Sequence, residues 1–214
     1  MDNARANISK LYDCIISAYH ESGHVIYGLL HFMKVSSVNL FEDKKNKRIG
    51  GLCNYECAKD LSDIKDNSLF NEQLKYEICI KYAGLTAEKY HFRTISGSDK
   101  FPIFLRDGSS DDTLSAAALI KQYNIVLPGE KRYVYKKKLI KEIALELQQH
   151  WNAVTIVSHV LFRKKKLNYT DLKKLLTTKT VNKKFWKKQF KIIDYIFENS
   201  QTLDDKDLSI IFLA

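Results

Sequence analysis

Only two prolines, Pro102 and Pro128, and eight glycines interrupt a chain of 214 residues. In a helix interior Gly costs about 1 kcal/mol and Pro about 3 kcal/mol relative to Ala, so a chain this poor in both is constrained toward long helices. The apolar pattern follows suit. From about Ile8 to Met33, Leu11, Ile15, Ala18, Ile26 and Leu30 recur at helical spacing and predict a long first helix. A second is expected from Asp60 to Arg93, with Leu69, Leu74, Ile78, Tyr82 and Leu85 inward. The stretch TISGSDKFPIFLRDGSSDD reads as a loop ending at a helix cap, Ser109 or Ser110, before a helix from Asp111 to Tyr123. One long helix from Glu130 to about Phe162 follows, then a short one capped by Thr170 and a basic amphipathic one in NKKFWKKQFKIIDYIFENS. The β signal is confined to VSSVNLF (35–41) and IGGLCNYEC (49–57), which alternate around the polar DKKNKR. The expected fold class is mainly α, with a small β-sheet after the first helix.

A hydrophobic content of 45% and a charged content of 28% suit one main core. No apolar window approaches the roughly 18 to 20 residues of a membrane span and no signal-peptide pattern stands at Met1, so a cytoplasmic location is expected. Cys14, Cys53, Cys57 and Cys79 are scattered and are expected as reduced thiols. Cys53 and Cys57 could supply two soft ligands, but no second close Cys or His pair accompanies them. The net charge of +10 is concentrated in the C-terminal half, as in KKK at 136–138 and RKKK at 163–166. Its lysines interleave with apolar residues at helical spacing, which favours solvated helix faces over a nucleic-acid footprint.

The first helix carries His20-Glu21-Ser22-Gly23-His24 in its interior. Residues four apart lie on one helix face about 6 Å apart along the axis, so both imidazoles can reach one metal ion at about 2.0–2.1 Å. Glu21, rotated about 100° from His20, is placed to act as a base beside the metal. Ser22 and Gly23 leave room for another segment to press close. A third ligand must come from elsewhere. His31 would stand roughly 10 Å beyond His24 on a continuous helix, out of ligand reach. It is expected as a packing or surface histidine. Glu88, Asp111 and Asp112 remain, the last two at a helix start where backbone N–H groups keep a carboxylate ionised and aimed.

AYHESGH resembles the AYHEAGH of the peptidase M41 family, the protease domain of the ATP-dependent FtsH proteases. IGGLCNYE, YAGLTAEKYHF, DGSSDDTLSAAALI and ELQQHWNAVTIVSHVLFRKKKLNYTDL are similar to further family segments, in family order, from about Ile15 to Leu176. The resemblance implies a helical zinc-metallopeptidase domain over residues 1–180, with 181–214 a basic amphipathic helix and tail. It implies one Zn2+ per chain held by His20, His24 and Asp112, Glu21 as the catalytic base, and Glu88 bonded to a ligand histidine. Asp111 stands where the family has Asn, and Leu85 where it has Arg. An edge strand near Gly51 to Tyr55, with Gly51, Leu52 and Asn54, is expected to pair with substrate. No GxxxxGK[ST] motif or membrane span is present in the sequence, so the expected activity is ATP-independent hydrolysis of flexible or unfolded polypeptides. The alternative is an inactive, zinc-stabilised module whose basic face binds an acidic partner. The tail would pack as core, or serve an oligomer, a membrane surface or self-inhibition.

Overall fold

The computed structural model describes residues 2–43, 48–98, 110–125 and 131–213. Its organising element is α1 (Asp2–Leu30), buried without interruption from Ala18 to Leu29. A helix enclosed on all sides needs apolar residues on all sides, and VIYGLL supplies them. Phe32, with a positive φ of 58°, turns the chain into β1 (Lys34–Asp43), which pairs antiparallel with β2 (Arg48–Glu56).

The register sets Leu40 opposite Gly51 and Val38 opposite Cys53. Alternation of exposure along β2 directs Gly51, Cys53 and Tyr55 to the covered face and Leu52 and Asn54 to the outer one. A third strand, β3 (Lys166–Asn168), joins the other side of β1. Three residues are too few to carry a readable alternation, so the sequence gives no hint of it. The order β2-β1-β3 leaves β2 at an edge.

The second helix, α2 (Asn67–Ser96), starts later than expected because the Asp66 side chain accepts from the Leu69 N–H and fixes the boundary there. A short 3-10 turn (Leu61–Asp63) occupies the expected first turn. At the other end Gly97 adopts φ 65°, the left-handed stop that glycine tolerates. Helix α3 (Ser110–Gln122) opens with Asp111 and Asp112. Ser110 is its first helical residue rather than its cap, and Ser109 lies outside the described residues, as do most of the loop before it, the centre of DKKNKR and Pro128.

The single helix expected from Glu130 to Phe162 is in fact two, α4 (Arg132–Gln149) and α5 (Trp151–Lys164). The chain turns at His150, φ −110° and ψ 18°, with neither Pro nor Gly present. Packing explains the break, because α4 lies on α2 whereas α5 lies on α1, and one straight helix could not serve both. Helix α6 (Tyr169–Lys179) is capped by Asn168 in a reciprocal capping box with Asp171, correcting the expected Thr170 cap.

Helix α7 (Lys183–Glu198) buries Trp186, Phe190 and Ile193 in the same cluster as the core of α1. The Gln189 amide donates to the Leu29 and Leu30 carbonyls at 2.7 and 3.0 Å, satisfying acceptors at the C-terminal end of α1. Lys183, Lys184, Lys187, Lys188 and Lys191 line its exposed side. A last helix, α8 (Asp205–Leu213), places Leu208 and Phe212 in a smaller cluster with Leu69 and Ile196. The chain is thus mainly helical with a small antiparallel sheet, and no described helix is long and apolar enough to cross a membrane.

Candidate metal centre

The site forms where α1 and α2 meet at unusually close range. A Cβ on Gly23 would strike the Ala83 carbonyl and the Ala87 methyl, and one on Gly84 would strike Nε2 of both His20 and His24. Small residues on both helices therefore create the space in which the two imidazoles sit. Ser22, also in the contact region, folds back to donate to the Ala18 carbonyl at 2.7 Å.

Three atoms converge there. His20 Nε2 and His24 Nε2 are 3.1 Å apart, and Asp112 Oδ2 lies 3.2 Å from each. In a tetrahedral site with bonds of about 2.0–2.1 Å, neighbouring ligand atoms stand roughly 3.3–3.4 Å apart. The triangle is of that size, and two neutral imidazoles with one carboxylate form a donor set suited to Zn2+. Among the described residues this is the one group of three such side chains close enough to hold an ion.

The far side of each ring is also fixed. His24 Nδ1 donates to the Ile80 carbonyl at 2.6 Å, and His20 Nδ1 lies 3.1 Å from Glu88 Oε2. These partners select the tautomer that leaves each Nε2 lone pair facing the centre. Glu88 is almost fully buried, and its Oε1 has no partner among the described residues.

Glu21 is buried against β2. A Cβ on Gly51 would overlap its side chain, so the glycine of the edge strand gives the carboxylate its room. Burial pushes the Glu21 carboxyl above its usual range, with His24 and His20 opposing the shift. Burial tends to lower His20, but its bonds to Asp112 and Glu88 and the charge of Glu21 outweigh this and carry it up to about 10. Without an ion, His20 thus holds a second proton that a metal would displace to leave both imidazoles neutral. Asp112 moves the other way. The histidines hold it well below the usual carboxylate range despite its partial burial. The arrangement as a whole favours positive charge at its centre.

The remaining sequence candidates separate from this cluster. Asp111 is exposed at the start of α3 and stays outside the triangle. His31 bonds Glu146 Oε2 at 2.7 Å and lies against Tyr27 and Tyr76, a packing role. Cys53 and Cys57 remain free thiols, and Cys57 contacts Glu77 instead of a shared metal position. Leu52 and Asn54 point away from Glu21, Asn54 bonding Ser37 Oγ at 3.0 Å. The site-facing residues of β2 are Gly51, Cys53 and Tyr55. Counting by twos from the glycine would have identified the latter pair. Gly84 had no signal in the sequence except its place four residues before Glu88.

A cavity of about 440 Å³ lies two turns earlier along α1, between Leu11, Cys14, Leu40, Ile49 and Phe162. Lys10, Glu42 and Lys165 also line it, and none of the His20, His24 and Asp112 side chains does; the Ser17 hydroxyl bonds the Ile49 carbonyl on the Glu21 side. No protein-family model matches the chain, and no curated protein matches it.

Proposed function

We propose that this protein is a zinc metallopeptidase of the M41 type that hydrolyses peptide bonds in flexible or unfolded polypeptides without ATP. The observation that carries the reading is the meeting of His20 Nε2, His24 Nε2 and Asp112 Oδ2 beside a buried Glu21 and an edge strand. A purely structural zinc site would gain nothing from Glu21, which ligates nothing and is costly to bury.

Zinc bound by the three residues would acidify a water in its remaining position and polarise a scissile carbonyl. Glu21 accepts the proton released as water's oxygen bonds to the carbonyl carbon, and delivers it to the amine nitrogen as the C–N bond breaks. Its burial makes it a stronger base than an exposed glutamate. Glu88 and the Ile80 carbonyl keep both rings aimed through the cycle. Among the described residues one side of β2 is unpaired, and it would offer main-chain donors and acceptors to an extended chain of any sequence. A substrate that pairs with a strand must itself be extended, so flexible or already unfolded chains are the expected substrates.

Asp112→Ala and Asp111→Ala test the ligand set. Measured by metal analysis after dialysis, the first is expected to lose zinc and peptide hydrolysis together, and the second to keep both. Equal zinc content in the two variants would remove Asp112 from the site.

A further inference from the structure

The covered face of β2 runs from Gly51, against Glu21, through Cys53 to Tyr55. On α2, Gly84 stands against the Nε2 atoms of His20 and His24, and Lys81 is one turn earlier. Lys81 is half-buried, and its ammonium lies over the Tyr55 ring, 5.2 Å from the centroid. Among the described residues it forms no ion pair. With Gly84 in contact range of both imidazole Nε2 atoms, Lys81 stands one helical turn from the histidine centre. A half-buried cation over an aromatic face, with no ion pair among the described residues, is suited to an anion from outside the chain.

Building on the peptidase reading, we propose that Lys81 is a specificity-determining residue that selects substrates carrying a carboxylate on one side of the scissile bond. An extended chain added to β2 would place alternate side chains beside Gly51, Cys53 and Tyr55, so the carboxylate sits roughly two to four residues from the cleaved bond. The net charge of +10 works in the same direction, drawing acidic chains toward the protein at low salt. The carboxylate is an aspartate or glutamate side chain, or the free C-terminus of a short product-like peptide.

The test uses unstructured peptides of one frame, with Glu, Gln or Lys walked through the four positions on each side of the cleaved bond and with free or amidated C-termini. Cleavage is followed with the wild type, and binding by fluorescence anisotropy with the Glu21→Gln protein, so that recognition is read even where turnover is absent. Glu at one or two positions on one side is expected to improve kcat/KM and Kd roughly two- to fivefold over Gln, a typical range for one partly exposed ion pair. Lys81→Gln should abolish the preference, and Lys81→Glu should turn it toward Lys. A preference carried by the free C-terminus alone assigns Lys81 to the terminal carboxylate. Unchanged Glu-to-Lys ratios in both variants, or no binding of any peptide, overturn the proposal. Acid-selective binding without cleavage leaves Lys81 standing and overturns the peptidase reading.

Discussion

At the scale of single residues, the centre depends as much on missing side chains as on ligands. Gly84 has the two imidazole Nε2 atoms where its Cβ would be, and neither ring can retreat while Ile80 and Glu88 hold its other nitrogen. Gly84→Ala is therefore expected to cost about 1–3 kcal/mol through overpacking, despite the better helix propensity of alanine, and to lower zinc occupancy. Gly28→Ala is the control. Its new methyl would meet chiefly the tip of the Ile80 side chain, which can turn aside, so zinc content should be unchanged. Equal zinc retention in both variants, measured alongside urea unfolding, would contradict this account of the helix contact. His20, Glu21 and His24 were legible because helical periodicity fixes which residues share a face. Gly84 was not, since a glycine inside a helix carries no sign of what presses against it.

At the scale of elements, the ends of helices were the least legible features. Asn168 rather than Thr170 caps α6, since the choice depends on which side chain can also reach the N–H of Asp171. The division at His150 has no breaker residue, and follows from α4 and α5 lying on different partners. β3 exists only because β1 offers it an edge. The tie between α7 and α1 is also tertiary. Gln189, 160 positions from Leu29, accounts for two of the carbonyls at the end of α1. Gln189→Ala should destabilise the protein by about 1–2 kcal/mol, since it leaves these acceptors without their buried donor. Gln189→Glu should cost more, because a carboxylate facing two carbonyls repels both. Chemical denaturation checks the order; a neutral Gln189→Glu would show that the amide contributes nothing there.

At the scale of the whole molecule, the long helices and the two-stranded core of the sheet follow from composition and alternation, so the fold class could be read before any coordinates. The distant carboxylate could not be read in that way. Asp112 lies 92 positions from His20, and its candidacy in the sequence rested on its place at a helix start and on the likeness of SSDD to a family segment. The fold brings it within 3.2 Å of both histidines and leaves Asp111 aside. The basic surface is likewise a whole-molecule property. The lysines of α7 line a solvated side of a helix whose other side is core. An inactive module held together by zinc would use that same surface and the same three ligands, and it differs from the peptidase in a single respect, the need for Glu21.

The most direct test of the central claim is thus one paired measurement, zinc content and cleavage of an unfolded casein-type substrate for the wild type and Glu21→Gln. The peptidase account predicts about one zinc per chain in both proteins, with cleavage in the wild type reduced at least a hundredfold in the variant. Cleavage that persists undiminished in Glu21→Gln, or zinc-loaded wild type that cleaves nothing, would contradict it.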